Sequence, residues 1–249
     1  MTPVLPVYTA AKMLLIRGGR IVTKNSSSVF NPSILLLFIA FIVAGSLNAQ
    51  NNDEAYIKTI TDRSAKIVNG LSIKDSVVYN KVVAQLVAQY SGLNKIQEAD
   101  KALVASIKQG TTQAEGTATL LKDAEQKKNK ELSTLHQSFI SGLQQLLNPE
   151  QIELVKDGMT YRVFPITYAA YQDMIPTLTE VQKVKIYDWL KEAREVAMDA
   201  GSSDQKHAVF GKYKGRINNY LSAEGYDLKK ATEEWQQRIK ERNKTEQSK

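Results

Sequence analysis

The chain has 249 residues, 33 basic against 26 acidic side chains, and no cysteine. Without cysteine there is no disulfide, no thiolate metal site, no Cys nucleophile and no lipoprotein anchor at a cleavage site; a chain this long can bury a core without such staples. Four of the basic residues, Lys12, Arg17, Arg20 and Lys24, fall in the first 50 positions, which hold no acid, so the remainder balances at 29 basic to 26 acidic, or +3, too even for a nucleic-acid partner.

The basic start leads into an unbroken apolar run, Ile34–Ala44, and then into GSLNAQ. Eleven apolar residues are too few to span a bilayer, which takes about 20. Basic start, short apolar middle and small-residue exit match a secretory signal peptide over residues 1–50, cut after Ala49. Met13 is an alternative start, and an uncleaved anchor is the alternative to cleavage. The expected product is periplasmic or secreted, with no stable membrane anchor.

Helical periodicity then runs nearly throughout. Ile57, Ile60, Ile67 and Leu71 form a first apolar stripe. From Asp75, the steps of three and four through Tyr79, Val82, Val83, Leu86, Tyr90, Leu93, Ile96, Leu103 and Ile107 predict one long amphipathic helix. It stops at Gly110–Thr112, and a second long helix returns through Leu120, Leu121, Leu132, Leu135, Phe139, Leu143 and Leu146. Its early segment KDAEQKKNKE (122–131) is almost wholly polar, so the tip of this hairpin projects into water while its base joins a core. LSIKD at 71, LNPEQ at 147 and LTEVQ at 178 read as capping boxes and predict helix starts near 73, 149 and 180. Pro149 suits a first helical position, and Ile152 can staple onto Leu147. After 158 come a loop, a short helix near 166–174, a break at Pro176, and a helix over 180–200 with Ile186, Leu190, Ala193, Ala197 and Ala200 inside. GSSD is a turn with Asp204 or Ser203 as the next cap. A helix over 205–222 stops at Gly225, and Asp227 caps a last helix through Leu228, Trp235 and Ile239, with a frayed tail at 243–249. No strand is expected. The fold class is all-α: a long helical hairpin (within 51–148) plus a compact C-terminal helical bundle (149–242).

Chemistry-bearing motifs are few. His136 and His207 are far apart in sequence and no calcium-type loop is present, so no metal site is expected. There is no Gly-x-Ser-x-Gly elbow, and GKYKGR lacks the Lys-Ser/Thr ending of a phosphate loop. No catalytic residue and no cofactor are assigned. Asp188, Glu192, Glu195 and Asp199 form a stripe at spacings of four, three and four, read as a solvated face with Lys191 and Arg194 in pairing reach. Tyrosine is more informative. Ten Tyr against three Phe follow residue 50, and seven of the Tyr lie between 161 and 226. A ring with a polar handle suits sugars. In FGKYKGRINNYL (210–221), Phe210, Tyr213, Ile217, Tyr220 and Leu221 face inward, while His207, Gly211, Gly215 and Asn218 form a second line. Glycines there imply a close helix crossing or a strip open to a ligand.

The run LTEVQKVKIYDWLKEAREVAMDAGSSDQKHAVFGKYKGRINNYLSAEGYDLKKATEEW, with NGLSIKD and LNPEQIELVKDGMTY before it, resembles a secreted family of unknown function from polysaccharide-degrading Bacteroidetes, described as sugar-binding. The likeness covers roughly 53–240. It implies an exported helical protein and assigns no catalytic residue. Together with the tyrosines it gives the leading expectation, non-catalytic carbohydrate binding in glycan use. Tyr161, Tyr168, Tyr213 and Trp235 would stack on sugar rings; Arg194, Lys212, Arg216, Asn218 and Asn219 would bond hydroxyls or a uronic acid carboxylate, with His207 beside them. The capping boxes also resemble the Leu-Thr-x-x-Gln motif of small periplasmic stress chaperones, which makes a chaperone or scaffold with an exposed apolar face the alternative. A glycan hydrolase or lyase is the second alternative and requires a cleft with two carboxylates, or a base with a positive clamp. The ligand and the oligomeric state stay open at this point.

Overall fold

A computed structural model describes residues 53–110 and 114–247. The expected export signal falls outside these residues. The chain divides after Ala49, and the second unit, Gln50–Lys249, contains all that follows. Among the described residues the protein is all-α, and none of its helices is long and apolar enough to cross a membrane.

The first helix, α1, covers 53–69. Its buried line is Ile60, Ser64, Val68 and then Leu71, while Ile57 is exposed. Ser64 joins an otherwise apolar stripe because its own hydroxyl is paired, donating to the Ile60 carbonyl at 2.7 Å. The expected start near 73 shifts. Ser72 lies in the left-handed region (φ 55°) and does not cap. Asp75 does, accepting from the Val77 amide at 2.7 Å, and α2 runs Ser76–Gly110.

α2 and α3 (Ala114–Gln144) pair as the expected hairpin. Its buried residues cluster at one end: Val82, Leu86, Gln89, Tyr90 and Leu93 on α2, Phe139 and Leu143 on α3. Further out, Ala124 and the Lys128–Asp100 ion pair (3.0 Å) join arms that are otherwise largely solvated.

α4 (Pro149–Met159) and α6 (Glu180–Met198) start in full capping boxes. Asn148 accepts from the Gln151 amide at 2.9 Å and Thr179 from the Gln182 amide at 3.3 Å, and each glutamine returns a bond to the cap. α5 (Val163–Met174) begins three residues earlier than its pattern implies, with Pro165 in the first turn where its missing N–H is harmless. α7 (Ser203–Ala223) is capped by Ser202, which accepts from the Gln205 amide at 3.2 Å, so the cap precedes both expected residues. Gly225 (φ 92°) ends that excursion and Asp227 caps α8 (Leu228–Gln247), as expected.

Two hydrophobic clusters result. One joins α1, the base of the hairpin, α4 and Met198; the other joins α5, α6 and α7 around Phe164, Ile186, Leu190, Phe210, Ile217 and Leu221, with Leu228 and Ala231 of α8 against it. α6 belongs to both. Charged side chains bridge the seam between them. Arg194 of α6, 1% exposed, donates to Asp157 (2.7 Å) and to Glu153, both on α4, and its guanidinium lies 5.0 Å from the Phe164 ring centroid. Lys156 of α4 reaches back to Glu195 of α6 at 3.0 Å.

Candidate functional site

Where α4 ends, α1 crosses it closely. A Cβ added to Gly158 would meet Cγ1 and Cγ2 of Ile67 at 2.9 Å, so only glycine allows this approach. Beside the crossing lies a groove of about 770 Å³ lined by α1, the end of α4 and Tyr90 of α2, within the range of small-ligand sites. One face of α1 supplies Thr59, Asp62, Arg63, Lys66 and Gly70.

The opposite lip is a turn with an unusual backbone. α4 closes in the hydrogen-bond pattern of a Schellman motif: the Arg162 amide donates to the Asp157 carbonyl (2.7 Å) and the Tyr161 amide to Gly158 (3.4 Å). The residue at the left-handed position of this motif is normally glycine. Here it is Tyr161 (φ 58°), and Arg162 follows at φ 57°. Left-handed backbone disfavours L-residues by roughly 1–2 kcal/mol each, and such strain concentrates at functional sites. Its effect is to hold a 40% exposed phenol ring at the lip, stacked on His207 with centroids 5.6 Å apart and planes 10° apart.

The electrostatics are one-sided. Of the two carboxylates lining the groove, Asp62 is bonded by Lys58 (2.9 Å) and Asp157 by Arg194 (2.7 Å), neither of which lines it. Arg63, Lys66 and Arg162 form no ion pair among the described residues. The Arg63 guanidinium lies 5.7 Å from the Tyr90 ring centroid. Burial pushes the Tyr90 phenol up to about 12, so it stays neutral. Lys206, also buried, caps the end of α6 by donating to the Ala197 (2.9 Å) and Met198 (3.0 Å) carbonyls; burial, aided by the charge of Arg63, lowers its pKa to about 8.

The expected site residues do not converge. Tyr161 lines the groove, and His207 stacks on its ring. Arg194 is no surface donor: it is buried in the α4–α6 seam, its two terminal nitrogens bonded to carboxylates and its Nε left without a partner among the described residues. Tyr168 packs edge-on against Tyr187 (5.3 Å) beside Phe164. Tyr213 is half-buried against the second cluster. Asn218 accepts from the Tyr171 hydroxyl at 2.7 Å, Arg216 covers the Trp189 ring at 4.5 Å, and Trp235 donates to Asp173 at 2.7 Å. Lys212 and Asn219 are exposed on α7. No helix crosses at Gly211 or Gly215, where an added Cβ meets nothing within 4 Å; close approaches occur at other glycines, Gly158 among them. The acidic stripe splits. Asp188 and Glu192 are exposed, whereas Asp199 and Glu195 turn toward His136 at 3.0 and 3.9 Å in a second groove of about 620 Å³ between α3 and α6. The bond to Asp199 raises the His136 pKa above its ordinary value.

Sequence reasoning passed over Arg63, Lys66, Tyr90 and Arg162. A signal for part of this set exists: Thr59, Arg63, Lys66 and Gly70 follow at four, three and four, a polar line opposite the buried stripe of α1. Tyr90 was hidden among core positions, and Arg162 carries no pattern of its own.

Residues 57–241 match a family described as a protein of unknown function (DUF3826). Among curated proteins none matches the chain.

Proposed function

The chain belongs to that family of unknown function, and we propose that the protein is an exported, non-catalytic carbohydrate-binding protein whose ligand lies in the groove between α1 and α4. The observation that carries this reading is the lip residue Tyr161, an aromatic ring fixed by a strained backbone and a stacked histidine at the edge of an oligosaccharide-sized groove. A sugar ring presents C–H faces to such a phenol and hydroxyls to the polar side chains beside it. The pairing of Asp62 and Asp157 with cations favours binding over hydrolysis, because glycoside cleavage asks one carboxyl to give up a proton and another to attack or to activate water.

The test is a glycan array followed by calorimetry with the purified protein. Binding to a set of related glycans, weakened about tenfold or more by Tyr161→Ala, is the expected result. No binding to neutral or acidic plant glycans at millimolar ligand sinks the reading. Export is tested separately by fractionating cells that express the full chain; the expected product is periplasmic and begins at Gln50.

A further inference from the structure

We propose that the groove is built for an anionic glycan, one bearing carboxylates or sulfate esters, held in a cationic clamp of Arg63 and Lys66 on one wall and Arg162 on the other. This rests on the carbohydrate reading above and gives it a ligand class.

The clamp is defined by what its members lack. Some cations elsewhere, Lys58, Lys101, Lys128, Lys156, Lys183 and Arg194 among them, hold carboxylates at 3.2 Å or closer. Among the described residues Arg63, Lys66 and Arg162 hold none, and what sets them apart is that all three share one concavity with Asp62 and Asp157. Both acids are bonded to cations outside it, so among the described residues the charged side chains of the groove that lack an ion-pair partner are these three cations. Like charges gathered in a concave site repel one another and strengthen the local positive potential. That arrangement destabilises the empty protein and is relieved by an anion.

Geometry narrows the class further. Arg63 and Lys66 are one turn apart on α1, and Arg162 lines the same groove from the turn after α4, so cations from two separate segments border one concavity. Guanidinium groups bind carboxylate and sulfate oxygens in a two-pronged fashion. The Tyr161 ring lies next to Arg162 in sequence, which sets a stacking surface beside the charge. A uronic acid or a sulfated sugar offers both features on one ring. A free inorganic anion has no use for the phenol.

The test is calorimetry on the purified full chain with matched pairs: oligogalacturonate against its methyl ester, and a sulfated galactan oligomer against its desulfated form. Binding of one acidic member about tenfold or more tighter than its neutral partner, and weakening from low salt to about 0.2 M, is the expected outcome. Arg162→Gln and Lys66→Gln each lower that affinity about five- to tenfold while helicity and Tm hold, and Arg162→Lys recovers part of the loss. Neutral members binding as tightly as acidic ones overturns the clamp but leaves the carbohydrate reading standing. Inorganic sulfate matching the oligomers overturns the glycan specificity. No binding by any member overturns both readings.

Discussion

Tyr161 occupies the place in a helix-ending motif that glycine usually fills, and a backbone strain accompanies it. Tyr161→Gly therefore raises stability by about 1 kcal/mol in urea unfolding, by relieving the left-handed conformation, while removing the stacking ring and with it glycan binding. A variant that is both more stable and inactive is the mark of strain retained for function. The glycines give the complementary contrast. Gly158→Ala pushes a methyl group into the branched carbons of Ile67 and destabilises by about 1–3 kcal/mol. Gly215→Ala meets open space and stabilises α7 by up to about 1 kcal/mol without touching the groove. Sequence singled out Gly211 and Gly215 because two glycines four apart in a helix are conspicuous. Gly158 was not conspicuous, since its role depends on a side chain of α1, 91 positions earlier.

Between elements, the seam of α4 and α6 rests on Arg194. A buried guanidinium with its carboxylates adds little against an apolar pair, but removing one member strands the rest. Arg194→Ala is expected to destabilise by about 3 kcal/mol, the low end for such a break because Glu153 remains partly solvated. Adding Asp157→Asn recovers part of that loss, which a double-mutant cycle reads directly. α3 is fastened to α6 by a titratable contact. His136 faces Asp199 and Glu195 of α6, with Lys156 of α4 opposing, and its folded pKa is raised chiefly by the Asp199 bond. A raised histidine pKa stabilises the fold fully below the unfolded value of about 6.5 and loses that contribution as pH rises through the higher folded value. Tm measured across this window falls for the native chain and flattens in His136→Gln.

At the scale of the whole molecule, the two cores and the hairpin carry different burdens. The buried residues of α2 and α3 lie mostly toward the base, so replacing residues 100–125 by a short turn is expected to keep cooperative unfolding and groove binding, with Tm lowered by only a few degrees. Retained cooperativity in calorimetry with loss of binding counts against this assignment. The solvated tip was legible because ten nearly continuous polar residues cannot line a core. The groove was not, because its walls come from α1, from α2 and from the turn after α4, segments separated by tens of residues.

Local physics determined the helices. Periodicity located them, and the boxes at Asn148 and Thr179 started two of them where short-range bonds require, since every partner lies within three residues. The same grammar failed at Ser72, where the chain turns left-handed and Asp75 takes over the cap. Tertiary structure decided which polar residues became interior. Arg194 follows Ala193 on the inner stripe of α6, and only the approach of Glu153 and Asp157, about 40 positions earlier, makes its burial tolerable. It likewise decided which charges were left without partners. Pairing depends on what folding brings within a few ångströms, and sequence spacing reports that only inside a single helix. Among the described residues Arg63, Lys66 and Arg162 line the groove without an ion pair, while the acids beside them are bonded to Lys58 and Arg194.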